Sequence, residues 1–246
     1  MNYEISCGAI LYEKEEGTIK YLIIKDRNDN YSFPKGHMEG EEKSKETAKR
    51  EIKEEVGLDV ELDDIFDYSY SYMLNDDTKK IVELFVSEFN KTPYINDSEV
   101  KEIIVLPYED AINLLTFKET KEALFEANLY ISNASNVCCM FKKIDPKDAN
   151  RVAINSLRVA EEYGSSLRVH TCDSGERWLS KCKKCGGYVI VQQSETWYTN
   201  HDYYDYIPVL SLEHGRYVNE KYDGYGIESK YPYKKLFVND GEPSWH

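Results

Sequence analysis

Along the first 130 residues, apolar positions come in short runs cut by polar turns, and the period of the pattern changes twice. ISCGAILY and IKYLIIK, separated by the polar stretch EKEEG, have the length and composition of two strands. RNDNYSFPKGHMEGEE then breaks the pattern with Pro34, Gly36 and Gly40. Glycines in such a loop suit backbone that approaches a ligand or takes a positive φ. KSKETAKREIKEEV is built of strong helix formers, and Gly57 stands where that helix would stop. Residues 58–106 predict further strands in LDVELDDIFDYSYSYML, KKIVELFVSEF and KEIIVL, with NDDT and NKTPYINDS as turns between them. PYEDAINLLTFKETKEALFEANLYI returns to helical spacing and predicts one or two closing helices. Strands with a helix on either side predict an α/β sandwich.

Beyond this region the pattern changes character. SNASNVCC is a run of small residues and marks a boundary near residues 131–137. The expected domains are therefore 1–134 and a smaller α+β unit over 135–246. DANRVAINSLRVAEEYG predicts an amphipathic helix, with Asp148 as N-cap and Gly164 beyond its end. The remainder of the chain reads as strand and loop, and it is aromatic: all three tryptophans and 11 of the 21 tyrosines lie beyond residue 135. No internal repeat is present.

Charge divides the chain at the same place. Residues 1–130 hold 16 Lys+Arg against 30 Asp+Glu, whereas residues 131–246 hold 15 of each. An acidic first unit is a poor general binder of nucleic acid, since neutralising phosphates needs a basic face. It can still bind a polyphosphate if a divalent metal supplies the positive charge. No run of 18 apolar residues occurs, and the N-terminal residues lack a basic region followed by an apolar stretch. The expectation is a cytoplasmic protein without a membrane segment. Protein partners are not indicated.

The helix after the turn carries the chemistry. Glu51, Glu54 and Glu55 stand at i, i+3 and i+4, which share one helix face with Cβ atoms about 5–6 Å apart. Three like charges so placed repel unless a cation sits among them. Oxygen-only donors select a hard ion, Mg²⁺ before Ca²⁺, with Mn²⁺ as a substitute. Arg50 can hold a carboxylate at a fixed angle through its planar fork. Lys35 and the exposed N–H groups of the preceding turn suit a phosphate chain. Lys43, Lys45, Lys49 and Lys53 fit the plainer reading of a solvated Glu/Lys helix, at least for the outer face.

Spacing decides between these readings. Gly36, Glu42, Arg50, Glu51, Ile52, Glu54, Glu55, Gly57 and Leu58 fill every fixed position of the pattern G-x5-E-x7-R-E-U-x-E-E-x-G-U, where U is a bulky apolar residue. The stretch resembles the Nudix box without a departure. The resemblance implies an α/β/α sandwich with a mixed sheet, hydrolysing a nucleoside diphosphate linked to another group. It further implies Mg²⁺ or Mn²⁺ on Glu51, Glu54 and Glu55, with Glu42 as a weaker ligand acting through water. A carboxylate takes the proton of the attacking water: Glu54 or Glu55 from the helix, or Glu99 outside the box. Glu99 also reads as an ordinary loop glutamate.

The flanks narrow the resemblance. SFPKGHMEGEE, SCGAILY, YLIIK and SEVKEIIVLPYEDAINLLTFKETKEAL are similar in order and spacing to the asymmetrical diadenosine tetraphosphate hydrolases, over roughly residues 3–130. That likeness implies cleavage of diadenosine tetraphosphate to ATP and AMP. It places Lys35, Gly36 and His37 against phosphates, with Lys79 and Lys80 as further candidates. His37 equally fits a turn residue, and the two lysines fit solvated charge at a strand start. Two positions depart from the group: Tyr31 stands where a tryptophan is frequent, and Leu84, next to Phe85, where an aromatic often stacks on adenine. Tyr68, Tyr70 and Tyr72 alternate on one strand face and suit either packing or base stacking. Two other functions stay open, a nucleoside triphosphate pyrophosphohydrolase and a nucleotide sensor with its output in the second unit. The intact box weighs against the sensor.

No family is recognisable in residues 138–246. His170-x-Cys172 precedes Cys182-x2-Cys185-Gly186-Gly187, a turn of the zinc-knuckle kind. Two readings stand: a structural Zn²⁺ on His170, Cys172, Cys182 and Cys185, or unmetallated thiols. A disulfide framework does not suit a chain this long without an export signal.

Overall fold

The computed structural model describes residues 2–142, 157–165, 174–195, 202–222, 227, 231–239 and 242–245. The chain divides into two compact units, Met1–Ser132 and Asn133–His246.

In the first unit the described residues form one seven-stranded mixed sheet with helices on both faces. The order along the chain is β1 (Asn2–Glu15), β2 (Thr18–Asp26), β3 (Tyr31–Ser32), β4 (Lys35–His37), α1 (Ser44–Val56), β5 (Asp67–Asn75), β6 (Thr78–Glu88), β7 (Val100–Pro107), α2 (Tyr108–Leu114) and α3 (Lys118–Asn133). β1 runs parallel to β6 and antiparallel to β2 and β4. The two faces follow from strand alternation. Cys7, Ala9 and Leu11 of β1, with Leu22 and Ile24 of β2, bury against Ala48, Ile52 and Val56 of α1. Tyr21, one position before Leu22, points the other way, where its hydroxyl donates to Asn128 of α3 at 2.7 Å.

The sequence pattern predicts strand from residue 58 onward; residues 58–65 form a loop instead. Asp63 turns the chain there, its carboxylate accepting the N–H groups of Ile65 and Phe66 at 2.7 and 3.0 Å. A side chain that satisfies nearby backbone competes directly with a sheet ladder.

The second unit is a smaller α+β fold. Its described strands make a six-stranded antiparallel sheet in sequence order: β8 (Leu157–Ser165), β9 (Ser174–Cys182), β10 (Tyr188–Glu195), β11 (Asp202–Val209), β12 (Leu236–Asn239) and β13 (Glu242–Trp245). α4 (Leu212–Lys221) packs on β10 and β11, its first turn capped by Ser211, whose hydroxyl accepts the His214 N–H at 3.0 Å. The helix expected from Asp148 to Tyr163 is corrected over its second half, where Leu157–Ser165 is strand β8; residues 148–156 lie outside the described residues. Two register shifts against β9, at Val159/Glu161 and Glu162/Gly164, spread the apolar positions away from strict alternation. A bulged strand therefore mimics helical spacing in the sequence.

Candidate active site

Helix α1 is set by local devices. Glu46 accepts the Lys43 N–H at 2.9 Å ahead of the first turn. Gly57 ends the helix in the left-handed region at φ 68°. The same glycine leaves room for a neighbour, because a Cβ there would stand 2.3 Å from the ring of Tyr94. The loop carrying Tyr94 closes the helix end: the N–H groups of Tyr94 and Asn96 donate to the carbonyls of Val56 and Glu55 at 3.1 and 3.3 Å. Satisfying those open carbonyls brings the next residues, Asp97 and Glu99, to the head of the carboxylate face.

Arg50 joins the turn to the helix. Its Nε and Nη2 grip the two oxygens of Glu42 at 2.8 and 3.0 Å. Nη1 donates to Glu51 at 2.8 Å and Glu54 at 2.9 Å, and Nη2 also reaches the His37 carbonyl at 2.8 Å. One guanidinium thus orients three glutamates and pins the entry turn. Thr47 Oγ1 and the Glu39 N–H add bonds to Glu42 at 2.8 and 3.1 Å. Arg50 and these donors hold the Glu42 carboxyl down at about 2.

The three box carboxylates occupy unlike environments. Glu54 is half-exposed. Glu51 is largely buried, and that burial raises its pKa against the pull of Arg50. Glu55 is only 8% exposed, with one oxygen accepting the Lys35 N–H at 2.9 Å. Burial, opposed by Lys35 and reinforced by Glu51 and Asp97, pushes Glu55 up to about 8. Gly36 passes so close that a Cβ would lie 2.0 Å from the Glu51 carboxyl carbon. No other residue fits there without displacing that carboxylate. Crowded, partly desolvated carboxylates with oxygen donors only are a fitting seat for a hard divalent cation.

These groups line one cleft of about 360 Å³, together with Lys35, Gly36, His37, Lys80 and Glu99. Lys80 is half-buried; desolvation and the charge of Lys35 lower its pKa. Its Nζ stands 3.2 Å from His37 Nε2, which is also 3.2 Å from Glu4. Lys79 is not brought to the cleft, because neighbouring residues of β6 point to opposite faces of the sheet. Glu42 also lies outside the cleft lining, with both oxygens committed to Arg50. Arg27 and Asp97 escape sequence reasoning. Arg27 pairs with Glu99, and Asp97 accepts the Glu99 N–H at 2.7 Å. Each stands alone in a turn, with no spacing signal to mark it.

Leu84 and Phe85 are both buried and offer no surface to a base. The tyrosines of β5 do. Tyr68, Tyr70 and Tyr72 form a ladder with successive ring centroids 6.4 Å apart. Tyr72 pairs in register with Lys80, so both project from the same sheet face, and Tyr72 is 40% exposed.

In the second unit, His170 and Cys172 lie outside the described residues. Among the described residues, Cys182 and Cys185 come together with Cys138 and Cys139. Among the described residues, no helix is long and apolar enough to cross a membrane.

Residues 2–127 match the family described as NUDIX domain. No curated protein matches the chain. Among solved structures, the chain is similar to an Ap4A hydrolase binary complex from C. elegans (20% identity, 52% of this chain and 98% of that one, TM-score 0.49). It is also similar to a NUDIX hydrolase from Listeria monocytogenes (26% identity, 55% and 97%, TM-score 0.45). A third is the NUDIX domain of Shewanella oneidensis NrtR complexed with ADP ribose (12% identity, 53% and 90%, TM-score 0.46).

Proposed function

The chain belongs to the Nudix hydrolase family, enzymes that act on phosphoanhydride bonds, and on that premise we propose that it cleaves diadenosine tetraphosphate asymmetrically to ATP and AMP. One observation carries the proposal: the box carboxylates and the cations of the PKGH turn and β6 converge on a single cleft. Glu51, Glu54 and Glu55 would hold Mg²⁺ or Mn²⁺. The ion, when bound, neutralises the polyphosphate and acidifies a water. Lys35 and Lys80 bind the phosphate chain, and His37 stands beside Lys80 on the same side of the cleft. Arg50 keeps Glu51 and Glu54 in place, and Glu42 anchors Arg50 rather than touching substrate. Glu54, the most exposed of the three helix carboxylates, accepts the proton of the attacking water. Glu54 also accepts from Arg50, so exposure rather than bonding separates it from Glu55, which is 8% exposed.

A base at one end of the phosphate chain finds Tyr72 on the face that carries Lys80, a platform open to a dinucleotide and to a nucleoside triphosphate alike. The test is a substrate panel with Mg²⁺: diadenosine tetraphosphate, nucleoside triphosphates, ADP-ribose and diphosphoinositol phosphates. Water addition to diadenosine tetraphosphate should yield equal ATP and AMP at the highest kcat/KM. Preferential release of pyrophosphate from triphosphates would instead assign a nucleotide-pool hydrolase. Tight nucleotide binding without turnover of any member would assign a sensor.

A further inference from the structure

Four thiols meet in the second unit, in a place that the hydrolytic chemistry does not use. Cys138 directly precedes a 3-10 turn, Cys139–Lys142, that begins with Cys139. Cys182 ends β9, and Cys185 sits in the turn that leads into β10. Their four sulfurs all lie within 4.8 Å of one another, and Cys138 Sγ is 3.7 Å from Cys185 Sγ.

The backbone is shaped around this cluster. The Gly186 N–H donates to the Cys182 carbonyl and the Cys182 N–H to the Gly187 carbonyl, both at 2.9 Å. Gly186 takes φ 74°, which closes the turn. A Cβ on Gly187 would come within 2.7 Å of Cys138 Cα, so only glycine lets the two segments touch. The N–H groups of Cys139 and Gly187 aim at Cys185 Sγ from 3.3 and 3.4 Å.

Sulfur spacing separates the chemistries open to such a cluster. A disulfide needs about 2.05 Å between sulfurs. Four thiolates around one zinc at about 2.3 Å stand about 3.8 Å apart along each tetrahedral edge. The separation between Cys138 and Cys185 is of the second kind. Clusters with inorganic sulfide hold their cysteine sulfurs further apart, because the sulfides occupy the centre. Lys181, Lys183 and Lys184 flank Cys182 and Cys185 in the chain and offset the charge of a tetrathiolate.

We propose that Cys138, Cys139, Cys182 and Cys185 bind one zinc ion in a closed structural site that staples residues 138–142 to the β9–β10 turn. Each thiol releases its proton as it binds, so loading liberates protons in step with zinc. The set is complete without His170 or Cys172, which separates it from the histidine-containing set expected from spacing.

Elemental analysis of the full chain tests the site. About one zinc per chain is expected. It should survive in His170→Ala and Cys172→Ser and fall ~10-fold or more in Cys139→Ser and Cys185→Ser. Should the serine variants fail to fold, the wild-type chain answers alone. A mercurial thiol reagent should release zinc to a colorimetric chelator, and cobalt in place of zinc should give the intense visible absorption of a tetrahedral thiolate site. The proposal is overturned by a chain that carries no zinc and takes up neither ion, or by iron as the bound metal. A disulfide among these four residues in the unreduced mass spectrum would overturn it too, as would zinc that persists in the serine variants but leaves with His170.

Discussion

The two units gather their donor sets in opposite ways. In the first, Glu51, Glu54 and Glu55 come from neighbouring turns of one helix, and Arg50 on the same helix orients two of them. In the second, Cys138 and Cys139 meet Cys182 and Cys185 across a long stretch of chain. Their cores differ as well. The first is walled by Ile52, Leu22, Leu11 and their neighbours. The second encloses the guanidinium of Arg177, 1% exposed, bonded to Gln192, Asn219 and the Tyr222 carbonyl. A helix presents donors through its own repeat and leaves the apolar core to do the packing. The second unit adds to its apolar core of Leu179, Val189, Ile190, Ile207 and Val209 a buried polar centre that ties β9 and β10 to the end of α4.

The largest effect should come from the helix. Glu54→Gln or Glu55→Gln lowers turnover on the order of 10³-fold while the thermal unfolding profile stays cooperative. Normal rates in both variants would remove these carboxylates from the chemistry and dissolve the contrast between the two units. In the second unit, Arg177→Met strands several buried acceptors and should cost about 3–5 kcal/mol. Denaturant unfolding followed by tryptophan fluorescence measures this unit alone, since Trp178, Trp197 and Trp245 all belong to it. An unmoved midpoint would show that its polar core is dispensable.

His214 sharpens the same point through pH. Burial, aided by the charge of Lys221, lowers its pKa to about 4. Its Nδ1 accepts the Leu210 N–H at 3.0 Å, which leaves the proton on a buried Nε2. The unfolded chain therefore binds a second proton on this ring more readily than the fold does. Stability present above pH 6.5 is lost as pH falls toward 4, by on the order of 3 kcal/mol. His214→Asn keeps an acceptor in nearly the same position and should flatten that slope in tryptophan-monitored unfolding. The smallest effect is still diagnostic. Gly36→Ala should push the Glu51 carboxylate aside and lower kcat roughly 10²-fold with little loss of stability. A variant with full kcat would mean that Glu51 has room to spare.

Legible in the sequence is whatever depends on near neighbours along the chain. The i, i+3, i+4 carboxylates share a face because any α-helix places those positions together. Gly57 ends the helix because left-handed backbone favours glycine at that point. With Gly36, Glu42, Arg50, Ile52 and Leu58 at their fixed spacings, they identify the box. Tertiary structure alone decided the rest. Lys80 rather than Lys79 enters the cleft, because the sheet face that closes the site was chosen by packing. Asp97, Glu99 and Arg27 meet there because a loop bonds to the open end of α1. Leu157–Ser165 became a bulged strand because β9 offered a ladder that local spacing does not record. Cys182 and Cys185 found Cys138 and Cys139 because Gly187 lets two distant backbones touch, a contact that no local repeat encodes.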